Sequence, residues 1–132
     1  MRASSLRWRT FWLALGWSIA AGIAWLSLTS SPPTLEVTLG DKIGHLGGYA
    51  TLMFWFCQIY RSRRARLAYA LGFSAMGIAL EFLQDATGYR TFELPDMAAN
   101  ALGVLLGWAG AQLVGSEWLA RWEAALTRRG RT

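Results

Sequence analysis

Four long stretches without a charged side chain constrain this chain more than any other feature. A helix rises about 1.5 Å per residue, so about 20 residues cross the roughly 30 Å hydrocarbon core of a bilayer. Because lipid cannot satisfy an open backbone, such stretches are expected to be helical. We predict an all-α membrane protein, a bundle of four transmembrane helices. The uncharged stretches are Thr10–Leu35, Ile43–Tyr60, Leu67–Leu80 and Met97–Ser116, and the predicted spans are 11–29, 42–60, 67–85 and 97–115.

The basic residues predict the orientation of this bundle. Eleven of the thirteen Lys and Arg residues precede the first span, separate the second from the third, or follow the fourth. By the positive-inside rule this side is cytoplasmic, which places both termini there. Residues 1–10 then form a basic cytoplasmic N-terminus, and 11–116 form the transmembrane domain. The high basic content is explained by topology and anionic lipid, so no nucleic-acid partner is predicted.

The last segment, 117–132, has the pattern of a short amphipathic basic helix. An apolar stripe lies opposite charged residues, which is typical of a helix in the cytoplasmic membrane interface. A helix that binds a partner protein is the alternative. The stripe consists of Trp118, Leu119, Trp122, Ala125 and Leu126, and the charged face of Arg121, Glu123, Arg128 and Arg129.

Polar residues collect at the outer ends of the spans. Glu81, Gln84 and Asp85 are three and four residues apart and therefore share one helix face. The uncharged part of span three covers only about 21 Å, so Glu81 is expected inside the apolar slab, facing protein. Asp41 and Asp96 stand where helix N-caps are expected. We predict one outward-facing polar cluster of binding residues, formed by Asp41, Lys42, His45, Glu81, Gln84, Arg90, Asp96 and Asn100.

Small residues at four-residue intervals predict where helices approach closely. Gly44 and Gly48 form one such pair in span two, and Gly103 and Gly107 are the centre of a longer series in span four. Small residues let helix backbones come together in a membrane. Packing within one chain explains them, and a homodimer is the alternative.

With these residues placed, the chain resembles the VanZ-like family of small bacterial membrane proteins. The resemblance covers about residues 27–110. It implies a multi-pass protein of the bacterial inner membrane, in a family named for a member linked to resistance to the glycopeptide teicoplanin. The matching elements are Ser27-Leu28 before a proline-bearing loop, Asp41-Lys42-x-x-His45 with Tyr49, Glu81-x-x-Gln84, and Arg90 before Asp96-x-x-x-Asn100-x-x-Gly103.

Several functions fit the predicted cluster. The favoured one is binding of an envelope lipid or a lipid-linked cell-wall precursor, with Lys42, His45 and Arg90 offered to phosphate. A purely structural network, in which Arg90 pairs with Glu81 or Asp96, is the first alternative. An enzyme with His45 as base, oriented by Asp41, and Glu81 as acid is a second, and proton-coupled transport a third. No cofactor and no metal are predicted, because the chain has one His and no His/Cys pair at ligand spacing, although these residue types could supply a nitrogen and carboxylate site.

Overall fold

The structure, a computed structural model, describes residues 6–30 and 40–130, which form five helices and no strand. The all-α prediction is therefore confirmed for this part of the chain. The predicted serine and proline break at Ser30–Pro33 lies mainly outside the described residues. The helices are α1 Arg9–Leu28, α2 Gly40–Ile59, α3 Arg63–Ala86, α4 Leu94–Val114 and α5 Trp118–Arg129.

Local signals explain where two of the helices begin. α3 starts before the predicted residue 67 because the Ser62 hydroxyl accepts a hydrogen bond of 3.2 Å from the backbone N–H of Ala65, which caps the helix. α4 starts at Leu94, with Pro95 in its first turn, where a missing N–H costs nothing. Asp96 and Asp41 consequently lie inside the first turns of α4 and α2 and are not the N-caps that were predicted.

Helices α2 and α4 pack backbone to backbone. A Cβ atom at Gly107 would overlap the carbonyl oxygen of Ala50, and one at Gly103 would lie 2.5 Å from that of Leu46. Only glycine permits this approach. Gly48 faces the Ile23 side chain of α1, with 3.5 Å between a Cβ placed there and Cγ1.

Gly44 does not have the packing role predicted for it. It is exposed, and nothing in the described part of the chain would lie within 4 Å of a Cβ added there. The turn of α2 that bears Gly44 therefore makes no close helix contact on that face.

Helix α2 lies at the centre of the bundle. Its second half is buried nearly all round, whereas α1, α3 and α4 each bury one face. The Phe56 ring of α2 lies 4.7 Å from the ring of Tyr69 and 5.1 Å from that of Phe73, both on α3. Such offset and edge-on arrangements add to the stabilisation from burial.

Three helices, α1, α3 and α4, are long and apolar enough to cross a membrane by length and composition. Their outer surfaces carry large exposed apolar side chains, for example Trp25, Leu71 and Leu113. Helix α2 is not among them, and its first two turns contain Asp41, Lys42 and His45 together with several glycines. The described part of the chain thus has three such helices, where four spans were predicted.

The C-terminal helix α5 packs against the bundle with a polar residue inward. Leu119 is buried with Trp12 and Ile59, and Glu123 is also buried although it was predicted on the charged face. Its carboxylate accepts hydrogen bonds from Trp12 Nε1 at 2.9 Å and from the Trp8 backbone N–H at 3.2 Å. The apolar side chains of Trp122 and Leu126 remain exposed.

Candidate functional site

The helix ends bring all eight predicted binding residues to the same end of the bundle. Successive helices α1 to α4 run in alternating directions, so the end of α1, the start of α2, the end of α3 and the start of α4 meet there. We call this group the polar cluster, with the residues as predicted above: Asp41, Lys42, His45, Glu81, Gln84, Arg90, Asp96 and Asn100.

The imidazole of His45 is held by α4. His45 Nδ1 lies 2.9 Å from Asn100 Oδ1, a buried amide oxygen that can only accept a hydrogen bond. The proton is therefore assigned to Nδ1. Asn100, rather than the predicted Asp41, orients the ring, and Nε2 is left to face the carboxylates.

Two carboxylates converge on the free nitrogen of His45. Nε2 lies 3.8 Å from Asp41 Oδ1, one turn earlier on α2, and 3.8 Å from Asp96 Oδ2 on α4. One ligand atom of each of the three residues can be chosen so that all lie within 4.8 Å of one another. These separations exceed a hydrogen bond, yet they bring one nitrogen and two oxygens around a common point.

Lys42 bridges two acidic residues of the α3–α4 region. Its Nζ lies 2.9 Å from Glu93 Oε2 and 3.2 Å from Asp96 Oδ1. The Asp96 side chain is almost fully buried, whereas those of Lys42 and Glu93 are partly exposed. Glu93 was not among the predicted site residues, although its position three residues before Asp96 is the signal that could have identified it.

Glu81 is a buried member of the polar cluster, and one of its oxygens has no partner among the described residues. Its exposed fraction is 1%, and its Oε2 accepts a long hydrogen bond of 3.4 Å from the Glu93 backbone N–H. Its Oε1 has no hydrogen-bond partner among the described residues, and neither does the buried hydroxyl of Tyr49. Tyr49 is one of the residues that carry the family resemblance, but no role in the site was predicted for it.

The last two residues of the cluster tie it to α1. Gln84 Nε2 donates to the Ser27 carbonyl at 2.7 Å, and Arg90 Nη1 donates to the same oxygen at 3.0 Å. These donors satisfy carbonyl groups that a helix end leaves without intrahelical partners. Arg90 Nη2 lies 3.7 Å from Asp41 Oδ1, so Arg90 pairs with Asp41 and not with Glu81 or Asp96 as predicted.

The cluster has more acidic than basic groups. Asp41, Glu81 and Asp96 of the cluster, together with the neighbouring Glu93, outnumber the two cationic side chains, Lys42 and Arg90. Both cations already contact carboxylates. A bound anion would therefore have to compete with these contacts, whereas a bound cation would offset the excess of negative charge.

The opposite end of the bundle is also polar, but its groups satisfy backbone acceptors. The buried Arg66 donates through Nη2 to the Cys57 carbonyl and to Ser116 Oγ, both at 2.7 Å, and through Nε to the Tyr60 carbonyl at 2.8 Å. Gln58 Nε2 donates to the Gly115 carbonyl at 3.1 Å. These contacts join α2, α3 and α4 where the sequence predicts the cytoplasmic side.

Comparison with known proteins shows one partial similarity. The chain is 36% identical over 77 residues to the uncharacterized protein C11E3.10 of Schizosaccharomyces pombe. The aligned part is 56% of this chain and 48% of that protein, so the chain spans about half the length of this relative. No family profile and no solved structure matches the chain.

Proposed function

We propose that this chain is a VanZ-like, four-span protein of the bacterial inner membrane. Its polar cluster would face the outside and bind the phosphate-bearing headgroup of an envelope lipid or a lipid-linked cell-wall precursor. Both termini would be cytoplasmic. An effect of this protein on glycopeptide tolerance would follow from its binding of this headgroup.

The surface of the bundle supports four spans. The three helices that are apolar enough to cross a membrane also expose most of the large apolar side chains, which lipid would cover. Helix α2 can cross the membrane although its first turns are polar, because it is surrounded mainly by other helices rather than by lipid. Charges in such a helix are tolerated when they face the bundle interior and pair with one another.

The convergence of Lys42 and Arg90 on the cluster carries the proposal. Elsewhere in the described chain all basic residues lie at the other end of the bundle or on α5. The side chain of Lys42 is 31% exposed and that of Arg90 is 16% exposed, and their partners Glu93 and Asp41 are more open. A phosphate could displace these two exposed carboxylates and gain charge-assisted hydrogen bonds.

A structural network is the second candidate, and the pairing of both cations favours it. In that case Lys42 and Arg90 only neutralise acidic groups and tie α1, α2 and α4 together. Removing either cation would then lower stability equally in all lipids.

The test is lipid-dependent stabilisation of purified protein in nanodiscs. We expect the thermal midpoint to rise with phosphatidylglycerol or undecaprenyl diphosphate relative to phosphatidylcholine, because a ligand that binds only the folded state stabilises it. Arg90→Gln and Lys42→Gln should lose this rise, while Arg128→Gln, at the other end of the chain, should keep it. An equal drop in every lipid for Arg90→Gln would favour the structural network.

Orientation can be tested separately with reporter fusions. We expect reporters after Arg64 and after Thr132 to read as cytoplasmic, and one after Glu93 to read as external. A cytoplasmic reading after Glu93 would place the polar cluster on the inner face and overturn the proposed envelope ligand.

A further inference from the structure

We propose that Asp41, His45 and Asp96 bind a divalent metal ion that accepts both nitrogen and oxygen ligands. Zn²⁺ is the ion with which the site is tested. This departs from the absence of a metal expected from the sequence. It also goes beyond headgroup binding, since the ion can bind whether or not a lipid does. Asp41 and His45 belong to α2, and Asp96 belongs to α4. The close glycine contacts described above hold these two helices together.

The separations suit one ion at the common point of the three groups. Zinc binds His nitrogen and carboxylate oxygen at about 2.0–2.2 Å, which puts tetrahedral ligands about 3.4 Å from one another. The two observed distances from His45 Nε2 are 3.8 Å. A contraction of about 0.4 Å in these two distances, together with closer approach of the Asp41 and Asp96 oxygens, which lie within 4.8 Å of each other, would complete three ligands and leave a fourth position for water or a ligand oxygen.

The orientation of the His45 ring also favours a bound cation. Its Nδ1 faces the Asn100 oxygen, so Nε2, the atom that would bind a metal, faces the two carboxylate oxygens. The gaps of 3.8 Å exceed a hydrogen bond, and an ion bound between these atoms would draw them about 0.4 Å closer.

The surroundings resemble the outer shell of a metal site. A metal-binding His commonly donates its second N–H to an oxygen, as His45 does to Asn100. Lys42 contacts Oδ1 of Asp96, which leaves Oδ2 directed to the imidazole. Both Asp96 and Asn100 are nearly fully buried, so the shell is held by the fold and not by solvent.

A second observation concerns a buried carboxylate close to these ligands. Glu81 is 1% exposed and its Oε1 has no hydrogen-bond partner in the described part of the chain. It lies close enough to Asp96 and His45 to interact electrostatically with both. An ion bound by the three ligands would offset this charge, either directly or through a bound water.

The chemistry of the ligands selects the class of ion. Imidazole nitrogen favours zinc and other transition metals over Mg²⁺ and Ca²⁺, which prefer oxygen. We therefore expect Zn²⁺ to bind more tightly than either alkaline-earth ion.

The experiment is metal binding by the full chain in detergent, without added lipid. Protein stripped with a chelator would be titrated with Zn²⁺ while thermal unfolding is followed, and bound metal would be counted by mass spectrometry. We expect one Zn²⁺ per chain and a rise in the thermal midpoint. His45→Gln and Asp41→Asn should weaken binding at least tenfold, and Asn100→Ala, which removes the orienting oxygen, about 10- to 100-fold.

The control is Asp85→Asn, an exposed carboxylate at the same end of the bundle, which should bind Zn²⁺ as the wild type does. Asp41 is the main test residue because it is partly exposed, so its substitution should leave the fold intact even if Asp96→Asn does not fold. The proposal is overturned if Zn²⁺ leaves the thermal midpoint of wild-type protein unchanged, or if Asp41→Asn and His45→Gln bind it with unchanged affinity.

Discussion

Gly107 of α4 lies so close to the carbonyl oxygen of Ala50 in α2 that the oxygen occupies the place of a Cβ atom. Together with Gly103, this contact sets the distance between the two helices. His45 on α2 and Asn100 on α4 are one to two turns further along, and their 2.9 Å hydrogen bond depends on that distance. The polar cluster is thus positioned by glycines that do not belong to it.

We expect Gly107→Ala to destabilise the bundle by about 1–3 kcal/mol, because an inserted methyl group in a packed contact forces the backbones apart. The matched control on the same helix is Gly110→Ala, whose Cβ would lie 3.8 Å from the Phe54 ring, an ordinary contact. That variant should be neutral or slightly stabilising. Thermal unfolding followed by circular dichroism compares the two, and equal stability would contradict the close-packing argument.

Glu123→Ala should release α5 from the bundle. The substitution leaves the buried Trp12 Nε1–H without its acceptor, at a cost of about 1–3 kcal/mol. Glu117→Ala is the control, because its ion pair with Arg61 is on the surface and such pairs contribute little. Limited proteolysis of the C-terminal helix measures the effect. Equal cleavage of the two variants would show that the Glu123 contact does not hold the helix.

Much of the architecture follows from the sequence because a membrane restricts the choices. The long intervals between charged residues predicted the helices. The free-energy cost of a carboxylate in lipid predicted that Glu81 faces protein. The same reasoning selected residues of α2, α3 and α4 that the fold brings together, since polar residues at the same ends of neighbouring helices pack against one another rather than against lipid.

The partners within the cluster could not be predicted in the same way. Arg90 follows Gly88, whose positive φ of 79° turns the chain after α3, and the direction of that turn decides that Arg90 meets Asp41. The burial of Glu123 depends on Trp12, 111 residues away, and no local pattern reports such a contact. Helix periodicity shows which face a residue occupies but not what lies opposite.

Glu81→Gln should fold as well as the wild type. The amide oxygen of Gln can still accept the hydrogen bond from the Glu93 backbone N–H, and the change removes a negative charge near Asp96. Glu81→Leu leaves that N–H without an acceptor, and should cost about 1–3 kcal/mol. Thermal unfolding separates the two. If Glu81→Gln were as unstable as Glu81→Leu, the charge of Glu81 itself would be needed for the fold.

Arg66→Lys should destabilise the opposite end of the bundle, although it conserves charge. The guanidinium of Arg66 donates to three acceptors, two carbonyls at the end of α2 and the Ser116 hydroxyl after α4, whereas a lysine ammonium has no planar fork and cannot reproduce this geometry. We expect a loss of about 1–3 kcal/mol, since at least one buried acceptor loses its donor. Arg63→Lys, at an exposed position in the same first turn of α3, is the control and should change stability by less than about 0.5 kcal/mol. Equal thermal midpoints for the two variants would show that the position of the charge, rather than the guanidinium geometry, stabilises this end.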